Sequence, residues 1–307
     1  MPGLQVCELC KSYANKLVAD HISFSVQSGE IMGFLGPNGA GKTTTIRMIM
    51  GITAPDSGKI EFLDQKSQGI PCSAIGYLPE ERGLYKESKV IGILRFLAGL
   101  KGVDRNTATQ RAYKWLKKFD LTAYANRKVE ELSKGMAQKV QFIATVIHEP
   151  QYIILDEPFS GLDPVSQDTF KYELRALADS GVTILLSSHQ MNILEELCDK
   201  IFLINHGKEL FFGRITDLQD LYGSFAIKLK LKDMAEAEMQ RLSALPTVAS
   251  VVQNGQNSVE LLMKEGMNPQ SLLKEIPVDI GLSELSLAKT SLHEIFVKIA
   301  KEASDEK

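Results

Sequence analysis

Residues 36–43, GPNGAGKT, carry the clearest chemical pattern in this sequence. The spacing G-x-x-x-x-G-K-T, between an apolar run and a helical pattern, is typical of a loop that holds a phosphate group. Glycines let backbone amides close around the phosphate, and the N-terminus of the following helix adds a favourable field. We predict that Lys42 contacts the β- and γ-phosphates of a nucleotide and that the Thr43 hydroxyl ligates Mg²⁺. The other predicted phosphate-binding residues are Gly36, Asn38, Gly39, Ala40, Gly41 and Thr44.

An acidic pair follows an apolar run in the segment YIILDEP, residues 152–158. Four consecutive apolar residues suit a strand that is covered on both faces. Such a strand would carry Asp156 to the edge of the phosphate site, where its carboxylate can hold Mg²⁺ through water. Glu157 can then polarise a water molecule aimed at the γ-phosphate. A solvated strand end without a function is the alternative, and the phosphate loop argues against it.

Strand and helix patterns alternate over residues 1–224 and must position these groups. Strands precede the glycine loop, a helix follows it, and QYIILDEP and VTILLSSH have the composition of buried strands. A hairpin is predicted around His206 and Gly207. A mostly helical stretch at about 88–150 interrupts the alternation. The pattern predicts an α/β domain with a largely parallel sheet and a helical insertion.

The pattern changes in residues 225–307, where FAIKLKLK alternates strictly between apolar and polar residues. The predicted order is strand, helix, two strands, helix, strand and a final helix. The β-α-β-β-α-β order is typical of a ferredoxin-like fold. We therefore predict a small α+β domain at the C-terminal end. It lacks clustered titratable residues, which favours a regulatory or dimer-bracing function.

The composition limits the possible partners. The chain has 307 residues, a formal net charge of −3 and a pI of about 6.0, which argues against nucleic acid as the main partner. We find no run of about 18 or more apolar residues and no signal-peptide pattern at the N-terminus. Together with only four cysteines, these features favour a cytoplasmic protein.

Cys7 and Cys10 form a C-x-x-C pattern, but no second Cys or His pair stands near it. The alternation in LQVCELC predicts a strand that points the two thiols to opposite faces. A zinc site needs four ligands at defined spacing. We therefore expect no zinc or redox function from this pair.

Several motifs, in this order along the chain, resemble those of the ATP-binding cassette (ABC) ATPases. GYLPEERGLY (76–85) lies where their Q-loop belongs, and LSKGM (132–136) resembles their signature motif LSGGQ. SGLDP (160–164) is similar to their D-loop, and SSH (187–189) to their switch-histidine strand. Tyr13 matches the aromatic residue that stacks on adenine. The resemblance covers about residues 4–220 and implies the P-loop NTPase fold of an ABC cassette.

The resemblance also implies roles for these motifs. Ser133 and Gly135 would cap the nucleotide bound to the opposite protomer, and Asp163 would contact the partner's phosphate loop. His189 would bond the γ-phosphate and hold the attacking water. Glu80 would act as the sensor of the Q-loop. Two cassettes would then share two ATP molecules in a head-to-tail dimer.

The sequence departs from the family's motifs at three positions. Lys134 stands at a glycine position of LSGGQ, and Met136 replaces its glutamine. Lys134 adds positive charge beside a phosphate cap, whereas Met136 removes a side-chain amide. Glu80 stands in place of the Q-loop glutamine, and a carboxylate accepts metal contacts but cannot donate a hydrogen bond as an amide does.

The function implied by the resemblance is ATP hydrolysis that drives a membrane transporter, of the exporter class that handles sodium, drugs or polysaccharides. One partner would be a separate polytopic membrane subunit. The other would be a second cassette, with which the chain would form a homodimer at the cytoplasmic face of the membrane. One alternative is a soluble cassette ATPase that acts on ribosomes or DNA. Another is a P-loop kinase, which would need neither a signature motif nor a D-loop. A single phosphate loop and no sustained heptads argue against the first alternative.

Overall fold

The structure is a computed structural model that describes residues 2–14, 16–62, 72–81, 83–222, 225–232, 236–253, 257–264, 267, 269–277, 279–289 and 291–305. The chain divides into two compact units, Met1–Arg214 and Ile215–Lys307. This division lies before the predicted domain boundary at residue 224. In the described part of the chain, no helix combines the length and apolar character needed to cross a bilayer.

The first unit contains nine strands and six α-helices among its described residues. The strands are β1 (Pro2–Tyr13), β2 (Lys16–Gln27), β3 (Ile31–Leu35), β4 (Ser57–Phe62), β5 (Ile75–Leu78), β6 (Tyr152–Asp156), β7 (Thr183–Ser187), β8 (Lys200–Asn205) and β9 (Lys208–Arg214). The helices are α1 (Lys42–Ile49), α2 (Val90–Leu100), α3 (Arg105–Lys118), α4 (Lys134–Val146), α5 (Pro164–Asp179) and α6 (Met191–Leu197).

The central sheet of this unit has the strand order β5-β6-β7-β3-β8-β9. Neighbouring strands are parallel from β5 to β8, and β9 pairs with β8 in the predicted antiparallel hairpin. Every residue of β3, β6 and β7 is buried, as expected for parallel strands that are covered on both faces. The prediction of a largely parallel α/β sheet is confirmed. The carboxyl ends of β3, β6 and β7 therefore lie side by side, which brings the phosphate loop next to Asp156.

A second sheet of the first unit has the order β2-β1-β4, with antiparallel pairs. Its apolar face joins the core beneath the central sheet through Phe24, whose ring lies 5.1 Å from the ring of Phe202. β1 does not alternate regularly, because the register shifts between Cys7 and Cys10. Their partners on β4 are Lys59 and Ser57, two residues apart and hence on one face. The prediction that the two thiols point to opposite faces is wrong, because one extra residue is inserted between them.

The predicted helical insertion lies between β5 and β6 and contains α2, α3 and α4. Aromatic rings fix its position on the rest of the unit. Phe142 of α4 lies 5.7 Å from Phe119, just after α3, and 4.7 Å from Phe170 of α5, between ring centroids. All three rings are fully buried. This packing determines where α4, which begins in the LSKGM segment, stands relative to α5.

The second unit contains α7 (Ile215–Tyr222), β10 (Phe225–Leu231), α8 (Glu236–Ser243), β11 (Val248–Gln253), β12 (Ser258–Met263), α9 (Pro269–Glu275), β13 (Leu282–Lys289) and α10 (Leu292–Asp305). Its four-stranded sheet has the order β11-β12-β10-β13, and each pair is antiparallel. Leu242 of α8 and Leu272 of α9 share a core with Ile227 and Leu229 of β10. This order with these two helices is the predicted ferredoxin-like arrangement.

Candidate nucleotide site

The phosphate loop connects the buried strand β3 to helix α1. Gly41 has φ of 109°, and a Cβ atom there would lie 2.3 Å from the carbonyl oxygen of Val18. A Cβ atom on Gly36 would lie 2.3 Å from the carbonyl oxygen of Ile204. Both positions therefore require glycine for conformational or steric reasons. No side chain caps α1, so the amides of its first turn can bind an anion.

Lys42 begins α1 and its side chain turns back along the loop. Its Nζ donates hydrogen bonds to the carbonyl oxygens of Gly36, at 2.6 Å, and Pro37, at 3.1 Å. Burial lowers the pKa of Lys42, while the carboxylates of Glu157, Asp156 and Glu80 act in the opposite direction. The ammonium is thus held at the base of the loop, facing the acidic groups from the neighbouring strands.

Asp156 is the last residue of β6 and is almost fully buried, at 3% exposure. The Ser187 hydroxyl, at the end of the adjacent strand β7, donates a hydrogen bond to its carboxylate. The next residue, Glu157, has φ of 51°, a conformation that non-glycine residues adopt rarely and that is concentrated at functional sites. Its backbone N–H donates to the carbonyl oxygen of Ser187 at 3.1 Å. The two carboxylates are therefore fixed by the pairing of β6 with β7.

Glu157 and His189 form a close pair. Nδ1 of His189 lies 2.8 Å from Oε2 of Glu157, and the Ser188 hydroxyl donates to the same oxygen at 3.5 Å. The side chain of Glu157 is 13% exposed, whereas that of His189 is 71% exposed. Burial raises the pKa of Glu157, and the His189 hydrogen bond and charge act against this shift. A carboxylate with a raised pKa is a stronger proton acceptor than an ordinary one.

These groups line one cleft of about 640 Å³. Its walls include residues from the phosphate loop, from the loop after β5 and from the ends of β6 and β7. Val18 also lines the cleft. The sequence did not reveal this, because an apolar residue in a strand pattern looks like a core residue. The predicted site residues along the cleft are Asn38, Gly39, Gly41, Lys42, Thr43, Thr44, Glu80, Asp156, Glu157 and His189.

Three predicted residues do not line the cleft. Gly36 packs against Ile204, as described above. Ala40 is buried, and its carbonyl oxygen accepts a hydrogen bond from Gly207 N at 2.9 Å. Tyr13 ends β1 with 47% of its surface exposed, and the Lys11 ammonium lies 5.6 Å from the centre of its ring.

The remaining predicted residues lie on what we call the signature surface, residues 132–136 and 160–163. Ser133 caps α4 by accepting a hydrogen bond from Met136 N at 3.2 Å, and Asp163 caps α5 by accepting one from Ser166 N at 3.0 Å. A Cβ atom on Gly135 would lie 3.2 Å from the carbonyl oxygen of Gly161. The two segments are therefore in contact at Gly135 and Gly161, and Ser133, Gly135 and Asp163 do not line the cleft.

Two glutamines of α4 brace the loops of the cleft, and sequence analysis did not single them out. Gln138 Nε2 donates to the carbonyl oxygen of Pro158 at 3.0 Å, directly after Glu157. Gln141 Nε2 donates to the carbonyl oxygens of Pro79, at 3.4 Å, and Glu81, at 3.3 Å, on either side of Glu80. In the sequence they look like any polar residues on a helix surface. Only the structure, in which both side chains are buried, distinguishes them from glutamines that face solvent.

Comparison with known proteins identifies the family. A family model described as "ABC transporter" matches residues 19–160, and one described as "ATP-binding protein DrrA1-3-like, C-terminal domain" matches residues 213–300. The chain is 36% identical over 295 residues to the uncharacterized ABC transporter ATP-binding protein YhaQ of Bacillus subtilis (strain 168), covering 96% of this chain and 97% of that protein. The chain belongs to the ABC transporter ATP-binding proteins.

Further matches give the same family. The linearmycin resistance ATP-binding protein LnrL of Bacillus subtilis (strain 168) is 35% identical over 252 residues, which are 81% of each chain. A solved structure described as the ATP-binding subunit of an ABC transporter has a TM-score of 0.67 and 30% identity, and covers 72% of this chain and 93% of that one. This ABC protein is thus an ATP-binding subunit and an ATPase, and such subunits work with membrane subunits.

Proposed function

We propose that this ABC ATPase hydrolyses Mg²⁺-bound ATP in the cleft and powers export through a separate polytopic membrane subunit at the cytoplasmic face. The observation that carries the proposal is the convergence of Lys42, Asp156, Glu157 and His189 on one cleft. A lysine, an uncapped helix N-terminus and a buried carboxylate suit a nucleotide triphosphate with its metal ion.

The residues of the cleft have separable roles in this proposal. Lys42 and the amides of α1 hold the β- and γ-phosphates. The Thr43 hydroxyl and the carboxylate of Asp156 hold Mg²⁺, which neutralises charge on the phosphates when bound. Ser187 keeps Asp156 oriented through its hydrogen bond. Phosphoryl transfer to water needs mainly positioning and charge neutralisation, and these residues supply both.

Glu157 acts as the general base toward the attacking water. Its raised pKa, caused by burial, strengthens it as a proton acceptor, and His189 holds one of its oxygens at 2.8 Å. The exposed His189 ring is free on its other side to reach the γ-phosphate. Glu80 lines the same cleft and stands where the Q-loop of the family has a glutamine. In this proposal it senses the metal-bound phosphates.

A second copy of the chain completes the site. Ser133, Gly135 and Asp163 lie outside the cleft of their own chain, and Ser133 and Asp163 are exposed at helix N-termini. In a head-to-tail dimer these residues cap the nucleotide of the partner. ATP then joins two cassettes because each nucleotide contacts both chains, and loss of the γ-phosphate separates them.

The membrane subunit docks on a groove between the loop after β5 and the insertion. This groove, of about 370 Å³, is lined by apolar side chains that include Leu84, Leu97 and Leu100. Beside it, the rings of Tyr85 and Phe96 pack edge to face at 6.3 Å although both are more than half exposed. Exposed aromatic residues around an apolar groove are typical of a protein interface. Since Gln141 lines the groove and holds the Glu80 loop, docking is linked to the cleft.

Export as the direction of transport is supported by the relatives. LnrL is named for linearmycin resistance, and a Rhizobium etli relative, 35% identical over 247 residues, is named Nod factor export ATP-binding protein I. The second name states export, and resistance to a compound is an expected result of exporting it. The compound exported here is decided by the membrane subunit, which supplies the pathway.

The first test is Glu157→Gln in the full chain. This change keeps the size of the side chain but removes its basicity, so turnover should fall by roughly 10²–10⁴-fold. ATP should still bind and should trap a dimer, which light scattering after size exclusion measures. Wild-type phosphate release by the variant would contradict the base role, and an ATP-bound monomer would contradict the shared site.

The second test concerns the docking groove. Phe96→Asp should abolish copurification with the polytopic membrane subunit while ATP binding by the isolated chain stays unchanged, because the charge enters an apolar interface. Tyr172→Asp is the matched control, since Tyr172 is a 70% exposed aromatic residue on α5. Equal copurification of the wild type and both variants would place the membrane contact elsewhere.

A further inference from the structure

The pairing of β1 with β2 contains an irregularity that brings three possible metal ligands together. Leu9 pairs with Ile22 and Lys11 pairs with Ala19, so the single residue Cys10 faces two residues of β2. Those two residues are Asp20 and His21. Two residues opposite one define a β-bulge, which redirects side chains.

The bulge turns neighbouring residues of β2 toward the same thiol. In a regular strand Asp20 and His21 would point to opposite faces. Here His21 has φ of 52°, the left-handed conformation, and its backbone N–H donates to Cys10 Sγ at 3.3 Å. Its ring Nδ1 lies 2.8 Å from Oδ1 of Asp20. One ligand atom each from Cys10, Asp20 and His21 lies within 4.8 Å of the others.

We propose that Cys10, Asp20 and His21 form a Zn²⁺ site that is separate from the nucleotide cleft. Thiolate, imidazole and carboxylate are the three ligand types of protein-bound zinc, and three of them leave a fourth tetrahedral position for water. His21 is exposed and the other two residues are half-buried, so an ion can enter from solvent. Within the described ranges, no other group of three His, Cys, Asp or Glu residues brings its ligand atoms this close.

The charges around the site suit a dication. The carboxylate of Asp20 supplies negative charge at the site, since ordinary aspartate is ionised at neutral pH. The Lys208 ammonium lies 3.5 Å from Oδ2 of Asp20, but its side chain is 70% exposed and can move into solvent. Binding deprotonates the Cys10 thiol, and the proton leaves to water.

The sulfur ligand separates this site from the nucleotide cleft. The predicted metal ligands of the cleft, Thr43 and Asp156, are oxygen donors, which suit Mg²⁺, whereas thiolate and imidazole favour zinc. Cys7 lies on the same face of β1 as Cys10 but is not part of the group. Cys7 therefore provides a control at a half-buried cysteine three residues away.

The test is a Co²⁺ titration of the full chain without nucleotide, followed by ultraviolet and visible absorption. Co²⁺ replaces Zn²⁺ in such sites and gives a thiolate charge-transfer band. We expect this band in the wild type and in Cys7→Ser, its loss in Cys10→Ser, and its bleaching by added Zn²⁺. No band in the wild type, or a band that persists in Cys10→Ser, would overturn the proposal.

A second variant tests the imidazole without disturbing the bulge. His21→Gly retains the left-handed backbone, which glycine adopts readily, and removes the side chain with its imidazole. We expect Zn²⁺ affinity, measured by competition with Co²⁺, to fall at least about tenfold, as for loss of a metal-supporting group. Circular dichroism of the metal-free variant checks the fold. Unchanged affinity in a folded His21→Gly protein would remove His21 from the site and with it the three-ligand proposal.

Discussion

The nucleotide cleft and the signature surface use similar residue types in different ways. In the cleft, Lys42 comes from the phosphate loop and the pair Asp156 and Glu157 from the end of β6, and these partly or fully buried side chains converge on one space. On the signature surface, Ser133 and Asp163 are exposed and hydrogen bond within their own helix turns. The first region has its binding groups assembled within one chain, whereas the groups of the second lie outside that cleft.

This difference supports the proposal that two copies of the chain share each nucleotide. Burial lowers the pKa of Lys42 and raises the pKa of Glu157, and shifts of this kind are concentrated at functional sites. In contrast, the signature surface is a rigid, capped face held by the aromatic packing of α4 on α5. A rigid exposed face is suited to meeting a nucleotide that another chain holds.

The largest expected effect on ATP binding is that of Lys42→Ala. The change removes charge-assisted hydrogen bonds to phosphate, each worth about 1.5–3 kcal/mol, so ATP binding should weaken by roughly a hundredfold or more. Isothermal titration calorimetry with the full chain measures this loss. ATP affinity equal to that of the wild type would remove the central assignment of the cleft.

A smaller and more selective effect is expected for Ser133→Asp. Aspartate keeps the helix cap of α4, but its charge would repel the phosphates of a partner's nucleotide. Binding of ATP to the single chain should stay unchanged while ATP-dependent dimerisation and turnover fall at least about tenfold, since 1.4 kcal/mol of repulsion corresponds to tenfold.

Ser133→Asn is the matched control, because asparagine also caps a helix and carries no charge. It should retain more turnover and more dimer than Ser133→Asp. An equal loss of turnover and dimer in the two variants would mean that the size of the new side chain, and not its charge, causes the effect. Full activity in both would show that the signature surface does not meet a nucleotide.

The smallest effect on the cleft is expected from truncation after Arg214, which removes the second unit. Every residue that lines the cleft lies in the first unit, so ATP affinity should stay within about threefold of the wild type, a change below 1 kcal/mol. Dimer lifetime is the quantity we expect to shorten. Loss of ATP binding by a truncated protein that retains its helical and strand signal would contradict this view.

Much of the site could be predicted because its information is local. The glycine spacing of residues 36–43 requires a particular turn, and a buried strand that ends in Asp156 and Glu157 places acids at a sheet edge. The ferredoxin-like order was readable for the same reason, since β10 alternates with a period of two. Tyr13, Gly36 and Ala40 do not line the cleft, and their proposed contacts with a nucleotide stay predictions.

Other features depend on which segments, distant in sequence, contact each other in the fold. These contacts cannot be read from a single sequence. Gln141 holds the Glu80 loop only because α4 packs beside β5, and Val18 reaches the cleft only because Gly41 lacks a side chain. Cys10 meets Asp20 and His21 only through a bulge.

The amino-acid sequence by itself determined the phosphate loop, the acidic strand end and the order of elements in both units, because each is encoded in neighbouring residues. Only the tertiary structure decided the strand register and the bracing of loops by α4. A slip of one residue in a strand turns its side chains to the other face, and long-range packing chooses between the registers.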